Sequence, residues 1–139
     1  ITNQRALDCC FQKIDNNDTK YSTPFTLPID LLSPETTTGV SVMDRYLTLK
    51  SLVRDDLSYD EKIITPGHTS CLIADDKGLM GRRGHTEATV DLVRLAGFKP
   101  AGCLIEILKP DGEMARLDYL IQFAKENNFK IISIEQLVN

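Results

Sequence analysis

From Thr86 to Ile134 the sequence switches repeatedly between two hydrophobic periods, and few architectures accept that pattern. "TEATVDLVRLA" (86–96) carries apolar residues at helical spacing. It stops at Gly97, a residue suited to a left-handed helix cap. "CLIEIL" (103–108) is a short apolar run of the kind buried in a sheet, and "PDGE" (110–113) is a turn. "MARLDYLIQFAKENN" (114–128) returns to helical spacing, with Leu117, Leu120, Ile121 and Ala124 inward, and "FKIISI" (129–134) reads as a last strand. Strands alternating with helices imply a mixed or partly parallel sheet covered by helices.

The same periods are weaker upstream. Residues 4–14 suit a short helix, and "DNNDTKYS" (15–22) is turn-rich. "TPFTLPIDLL" (23–32) alternates Phe25, Leu27, Ile29 and Leu31 on one face. Pro28 within it points to an edge strand or a bulge. From Ser41 the pattern is helical, with Ser41 and Asp44 spaced as a capping box. "RDDLSYDEK" (54–62) is expected to be a solvated loop, and "TSCLIADDKGLMGR" (69–82) reads as a hairpin turning near Asp76, Lys77 and Gly78. With 139 residues the chain suits one domain over 1–139.

Composition removes several function classes. A net charge of −4 gives no bulk attraction to nucleic acid, and 6% aromatics without tryptophan offer no base-stacking platform. No apolar run approaches the roughly 20 residues of a membrane span, and no charged-then-apolar leader opens the sequence. Neither a nucleic-acid nor a membrane partner is therefore expected, and the expected location is cytoplasmic. Cys9, Cys10, Cys71 and Cys103 form no C-x-x-C pair, so they read as reduced, buried thiols rather than a zinc site or disulfide framework.

Four places could carry chemistry. His68 in "PGHTS" and His85 in "RGHTE" share Gly-His-Thr. A turn centred between Asp76 and Lys77 would make the two histidines cross-strand partners at the open end of one hairpin. His85 also stands where a helix starts, beside Arg82, Arg83, Gly84 and Thr86. Unpaired amides of a first turn attract anions by about 0.3–1 kcal/mol. An arginine adds about 1.5–3 kcal/mol per charged hydrogen bond. Plain capping by Thr86 with solvated arginines is the other reading. Glu106, a carboxylate within "CLIEIL", is either a proton carrier or an outward residue on an edge strand. "TTTGVSVMDR" (36–45) offers hydroxyls and free amides before a second helix, where Asp44 and Arg45 also suit plain capping.

These segments resemble one family. "TTTGVSVMDR", "TPGHT", "GRRGHTEATVDLVRLAGFKPAG", "IEILKPDGEMAR" and "IISIEQLV" are similar to 3,4-dihydroxy-2-butanone 4-phosphate synthase, from about residue 23 to the end. The resemblance implies an α/β fold of the three-layer α+β kind, a mixed β-sheet with helices on both faces. It implies conversion of D-ribulose 5-phosphate to 3,4-dihydroxy-2-butanone 4-phosphate and formate in riboflavin biosynthesis. It also implies magnesium as cofactor, with manganese as a substitute, and a homodimer with sites at the subunit interface. By resemblance Arg82, Gly84 and Thr86 hold the substrate phosphate, with Arg83 adjoining. His85 is a metal ligand that also meets the substrate. Glu106 contacts the sugar and moves protons, His68 is needed for activity, and Thr38 and Asp44 belong to a further active-site loop. The family's upstream acidic segment, of the type Asp-Arg-Glu-Asn-Glu-Gly-Asp, has no counterpart here. The chain is accordingly expected to correspond to the C-terminal two-thirds of the family domain. The alternatives are an inactive, shortened relative that binds sugar phosphates or serves in assembly, and another sugar-phosphate lyase or isomerase with a rebuilt metal site.

Overall fold

The computed structural model describes residues 1–15, 17–56 and 61–139; the expected solvated loop at 54–62 lies partly outside them. The chain forms two compact units, Ile1–Cys103 and Leu104–Asn139. Helices and a small antiparallel sheet make it an α+β protein.

In the first unit, helix α1 (Asn3–Asp8) is shorter than its sequence suggests. It ends because Cys10 takes a left-handed conformation (φ 54°), with Phe11 N–H donating to Ala6 O and Cys10 N–H to Leu7 O. The segment expected as one strand over 23–32 is split at Pro28. Its first part pairs as isolated bridges, Lys13 with Thr26 and Phe25 with Leu72, while β1 is confined to Ile29–Leu32. Helix α2 (Val42–Ser51) begins at Ser41, whose Oγ accepts from Asp44 N–H at 3.0 Å. Thr48, fully buried on α2, accepts from Leu31 N–H at 2.9 Å and pins the helix to β1.

Strand β2 (Lys62–Thr69) pairs antiparallel with β1, not with residues after it. The register runs Leu32 with Lys62, Leu31 with Ile63 and Asp30 with Ile64, then jumps to Ile29 with Thr69. Residues 65–68 are therefore extruded as a bulge, a device that re-aims side chains beside functional sites. Gly67 in the bulge lies directly on β1, since a Cβ there would stand 2.1 Å from the Ile29 carbonyl carbon.

The expected 69–82 hairpin does not form. Asp75 Oδ1 accepts from Lys77 N–H at 2.8 Å, and Gly78–Met80 closes a single 3₁₀ turn. The amides a hairpin would spend on a ladder go to carboxylates of helix α3 (His85–Leu95): Asp75 N–H to Glu87 Oε1 at 3.0 Å and Leu79 N–H to Asp91 Oδ2 at 2.8 Å. Helix α3 ends as its sequence indicates. Gly97 has φ 79°, Gly97 N–H donates to Arg94 O, and Phe98 N–H donates to Val93 O. Ile1, Ala6, Ile29, Leu52, Cys71 and Ile73 form the core of this unit.

In the second unit, Leu108 and Met114 form one antiparallel bridge across the turn at Lys109–Gly112, and helix α4 spans Leu117–Glu126. Asn128 (φ 54°) caps α4, and Phe123 contacts the rings of Tyr119 and Phe129. The expected strands at 103–108 and 129–134 are not assembled into a sheet. A strand needs a neighbour to take its amides and carbonyls. Beyond the Leu108 bridge these segments have none among the described residues, leaving Ile105 82% exposed and Ile131 50% exposed. The second run also ends early, where Ser133 and Gln136 close a capping box that starts helix α5 (Ile134–Val138). Of the cysteines, Cys71 is buried as expected, whereas Cys10 and Cys103 are exposed; all four are reduced. Among the described residues, no helix is long and apolar enough to cross a membrane.

Candidate active site

Two side-chain systems in the first unit match the chemistry-bearing motifs. The first stands at the head of α3. Gly84 is its N-cap and supplies no side-chain cap, so the amides of His85, Thr86 and Glu87 keep no acceptor among the described residues. Glu87 is completely buried. Its Oε2 accepts from Arg82 Nη1 at 2.9 Å, while Oε1 holds Asp75 N–H. The pair passes over Gly84, where a Cβ would lie 2.3 Å from Arg82 Nη1 and 2.7 Å from Glu87 Oε2. Gly84 is thus demanded by space, since its φ of −118° suits any residue. One guanidinium N–H is spent on Glu87, and the others stay available at the helix start. Arg83 and His85 are exposed and Thr86 is buried. Sequence reasoning missed Glu87, because an acid in a first turn looks like an ordinary partner of the helix dipole.

The second system surrounds His68. The bulge brings its ring to Asp30: Nδ1 and Asp30 Oδ2 are 2.7 Å apart, and His68 N–H donates to Asp30 Oδ1 at 3.0 Å. Arg45 Nη1 donates to His68 O at 2.7 Å, and Arg45 Nε donates to Val40 O at 3.1 Å, tying the bulge to the threonine-rich loop. Gly39 (φ 82°) lies against Asp30, leaving no room for a Cβ, which would stand 2.1 Å from Oδ2. Asp30 also escaped the sequence reading; its one signal is an acid inside the apolar strand "IDLL".

Asp44 is almost wholly buried and holds the same loop. Its carboxylate accepts from Thr37 Oγ1 at 2.7 Å and Thr37 N–H at 2.9 Å. These bonds, the hydroxyl's foremost, bring its pKa down to about 2. Thr38 is exposed at the loop tip. With the hairpin gone, His68 and His85 are not cross-strand partners; they sit on a β2 bulge and at the start of α3. Glu106 belongs to the second unit and is exposed there, in the segment before the Leu108 bridge.

The sequence profile of the 3,4-dihydroxy-2-butanone 4-phosphate synthase family matches residues 1–139. The chain belongs to that family. The match takes in the first 22 residues as well, ahead of the motifs that suggested it. Relatives in this family include a riboflavin biosynthesis protein RibBA of Cytophaga hutchinsonii, 50% identical over 90% of this chain and 31% of its own length. The 3,4-dihydroxy-2-butanone 4-phosphate synthase of Shewanella woodyi is 45% identical over 90% of this chain and 57% of its own length. The chain thus spans from just under a third to somewhat over half of the length of these curated relatives. Among solved structures, the synthase of Candida albicans superposes with a TM-score of 0.85 at 41% identity, covering 99% of this chain and 67% of the other. A synthase in complex with two magnesium ions superposes with a TM-score of 0.81 at 31% identity, over 99% and 68% respectively.

Proposed function

We propose that the chain carries out, within riboflavin biosynthesis, the conversion of D-ribulose 5-phosphate to 3,4-dihydroxy-2-butanone 4-phosphate and formate. The observation that carries this reading is the Arg82–Glu87 pair bridging Gly84 at the open start of α3. It sets a guanidinium beside unpaired first-turn amides, the donors that a phosphate needs, and the family's substrate ends in one.

Each residue has a role in this reading. Arg82 and the free first-turn amides of His85, Thr86 and Glu87 grip the phosphate, Gly84 lets it approach the backbone, and Arg83 adds charge from the surface. Held at that end, the sugar has lost most of its motional freedom before reaction. His68 moves a proton at its outer ring nitrogen, and Glu106 moves another on the sugar. Thr38 offers a hydroxyl to the substrate from the loop that Asp44 fastens, which is how Asp44 enters the reaction here. The overall change conserves atoms, as a five-carbon phosphate gives a four-carbon phosphate and formic acid, with no external oxidant or reductant.

A magnesium-bound structure of a family member supports a divalent ion; manganese as a substitute rests on the family resemblance alone. Such an ion would stabilise negative charge on the sugar oxygens. Among the described residues no three metal-ligating side chains cluster, and His85 is a single exposed imidazole. Magnesium wants about six oxygen donors. The residues here therefore do not by themselves fit the ion, and His85 is offered as one ligand of a site completed by others. The expected assembly is a homodimer. Val40, Val42, Met43 and Tyr46, all more than half exposed beside the threonine-rich loop, are the surface that supports it.

The test is formate release. Purified protein with ¹³C-labelled ribulose 5-phosphate and magnesium is expected to give formate and the four-carbon phosphate by NMR. Consumption without formate, or none at all, refutes the reading.

A further inference from the structure

We propose that Asp30 is the positioning residue of His68, fixing the ring in the tautomer that presents a bare Nε2. This rests on the role given to His68 above.

Asp30 is 6% exposed, and a buried carboxylate is kept only where its oxygens are satisfied. Both oxygens go to one residue: Oδ1 takes the His68 amide at 3.0 Å and Oδ2 faces Nδ1 at 2.7 Å. Arg45 takes the His68 carbonyl at 2.7 Å. His68 is thus held at its amide, its carbonyl and one ring nitrogen, although its side chain is 44% exposed. A surface histidine with no task needs none of these restraints. The four-residue register jump and the Gly67 backbone pressed on β1 exist to bring the ring there. Gly39 makes space for the same carboxylate, since a Cβ there would stand 2.1 Å from Asp30 Oδ2.

The proton assignment follows from the donor inventory. A carboxylate accepts and does not donate, so a neutral His68 carries its proton on Nδ1. The lone pair is then on Nε2, which has no partner among the described residues, on a side chain that is 44% exposed. The second ring nitrogen becomes a general base by virtue of what the first one holds.

Asp30→Asn separates positioning from packing. Asparagine keeps the shape and an oxygen for the His68 amide. Its NH₂ must then face Nδ1 as a donor, so the imidazole proton is driven to Nε2 and the base is lost. The probe is the pair of ¹⁵N resonances of His68 in long-range ¹H–¹⁵N spectra of the whole protein, taken where the ring is neutral. The wild type is expected to show the Nδ1–H pattern and Asp30→Asn the Nε2–H pattern. Formate turnover should fall in kcat by about 10²–10⁴-fold, the range of a lost general base, with KM within about twofold. An Nε2–H pattern in the wild type overturns the proposal even if the variant does not fold. So does an unchanged tautomer in Asp30→Asn, or unchanged kcat. If the wild type releases no formate, the proposed reaction falls, and the ¹⁵N pattern still decides whether Asp30 sets the tautomer.

Discussion

Replacing Gly84 with alanine puts one methyl group into the Arg82–Glu87 bridge. The backbone accepts the change, because φ −118° and ψ 163° are ordinary extended values. The side chains do not, because the new Cβ would stand 2.3 Å from Arg82 Nη1 and 2.7 Å from Glu87 Oε2. Glu87 is completely buried and fastened to the Asp75 amide, whereas the Arg82 side chain is 34% exposed. The arginine therefore swings into water and leaves Glu87 without its cation. Losing a charged hydrogen bond costs about 1.5–3 kcal/mol. Alanine stiffens the unfolded chain by about 0.4–1 kcal/mol, a gain that its poorer N-cap preference roughly cancels. A net loss of about 2 kcal/mol is expected in urea unfolding at unchanged m. Under the proposed function, affinity for inorganic phosphate should also fall about tenfold, which corresponds to ~1.4 kcal/mol. A Gly84→Ala protein within about 0.5 kcal/mol of wild type, the range of an ordinary surface change, would refute the reasoning. So would a double-mutant cycle of Arg82→Ala with Glu87→Gln that shows no coupling.

Gly67→Ala should be worse tolerated, at about 3 kcal/mol or beyond, because its Cβ would meet Ile29 backbone rather than a movable side-chain tip; an unchanged thermal midpoint contradicts the tight bulge. Thr37, through its hydroxyl first and its amide second, holds Asp44 at about 2 against an ordinary 3.8. A depressed carboxyl stabilises fully above its ordinary value and loses that contribution as pH falls through its folded one. Asp44→Asn should therefore flatten the acid limb of thermal stability between about pH 4 and pH 2, and parallel wild-type and variant curves there would count against the loop staple. His85→Ala is expected to abolish formate release while leaving unfolding by urea within about 0.5 kcal/mol, since the ring is exposed. Glu106→Gln should lower kcat by about 10²-fold or more, as loss of a proton carrier does, and full turnover would remove Glu106 from the reaction.

The amino-acid sequence by itself determined the elements whose causes are local. The helix at 85–95 could be read because its apolar spacing and the cap at Gly97 lie within one segment. The start of α2 at Ser41 is local for the same reason, whereas Pro28, read as marking an edge strand or a bulge, divides the expected strand outright. The grouping of Arg82, Gly84, His85 and Thr86 was legible because one helix start holds them all. Tertiary structure decided what depends on distant partners. Whether 69–82 became a hairpin turned on Glu87 and Asp91 taking its amides from α3. Whether "CLIEIL" and "FKIISI" became strands turned on neighbours that no periodicity supplies. Asp30 and His68 are 38 residues apart, and their 2.7 Å contact exists because β2 bulges against β1. A side-chain period records which face a residue shares, but a register is an agreement between two strands, and neither strand alone contains it.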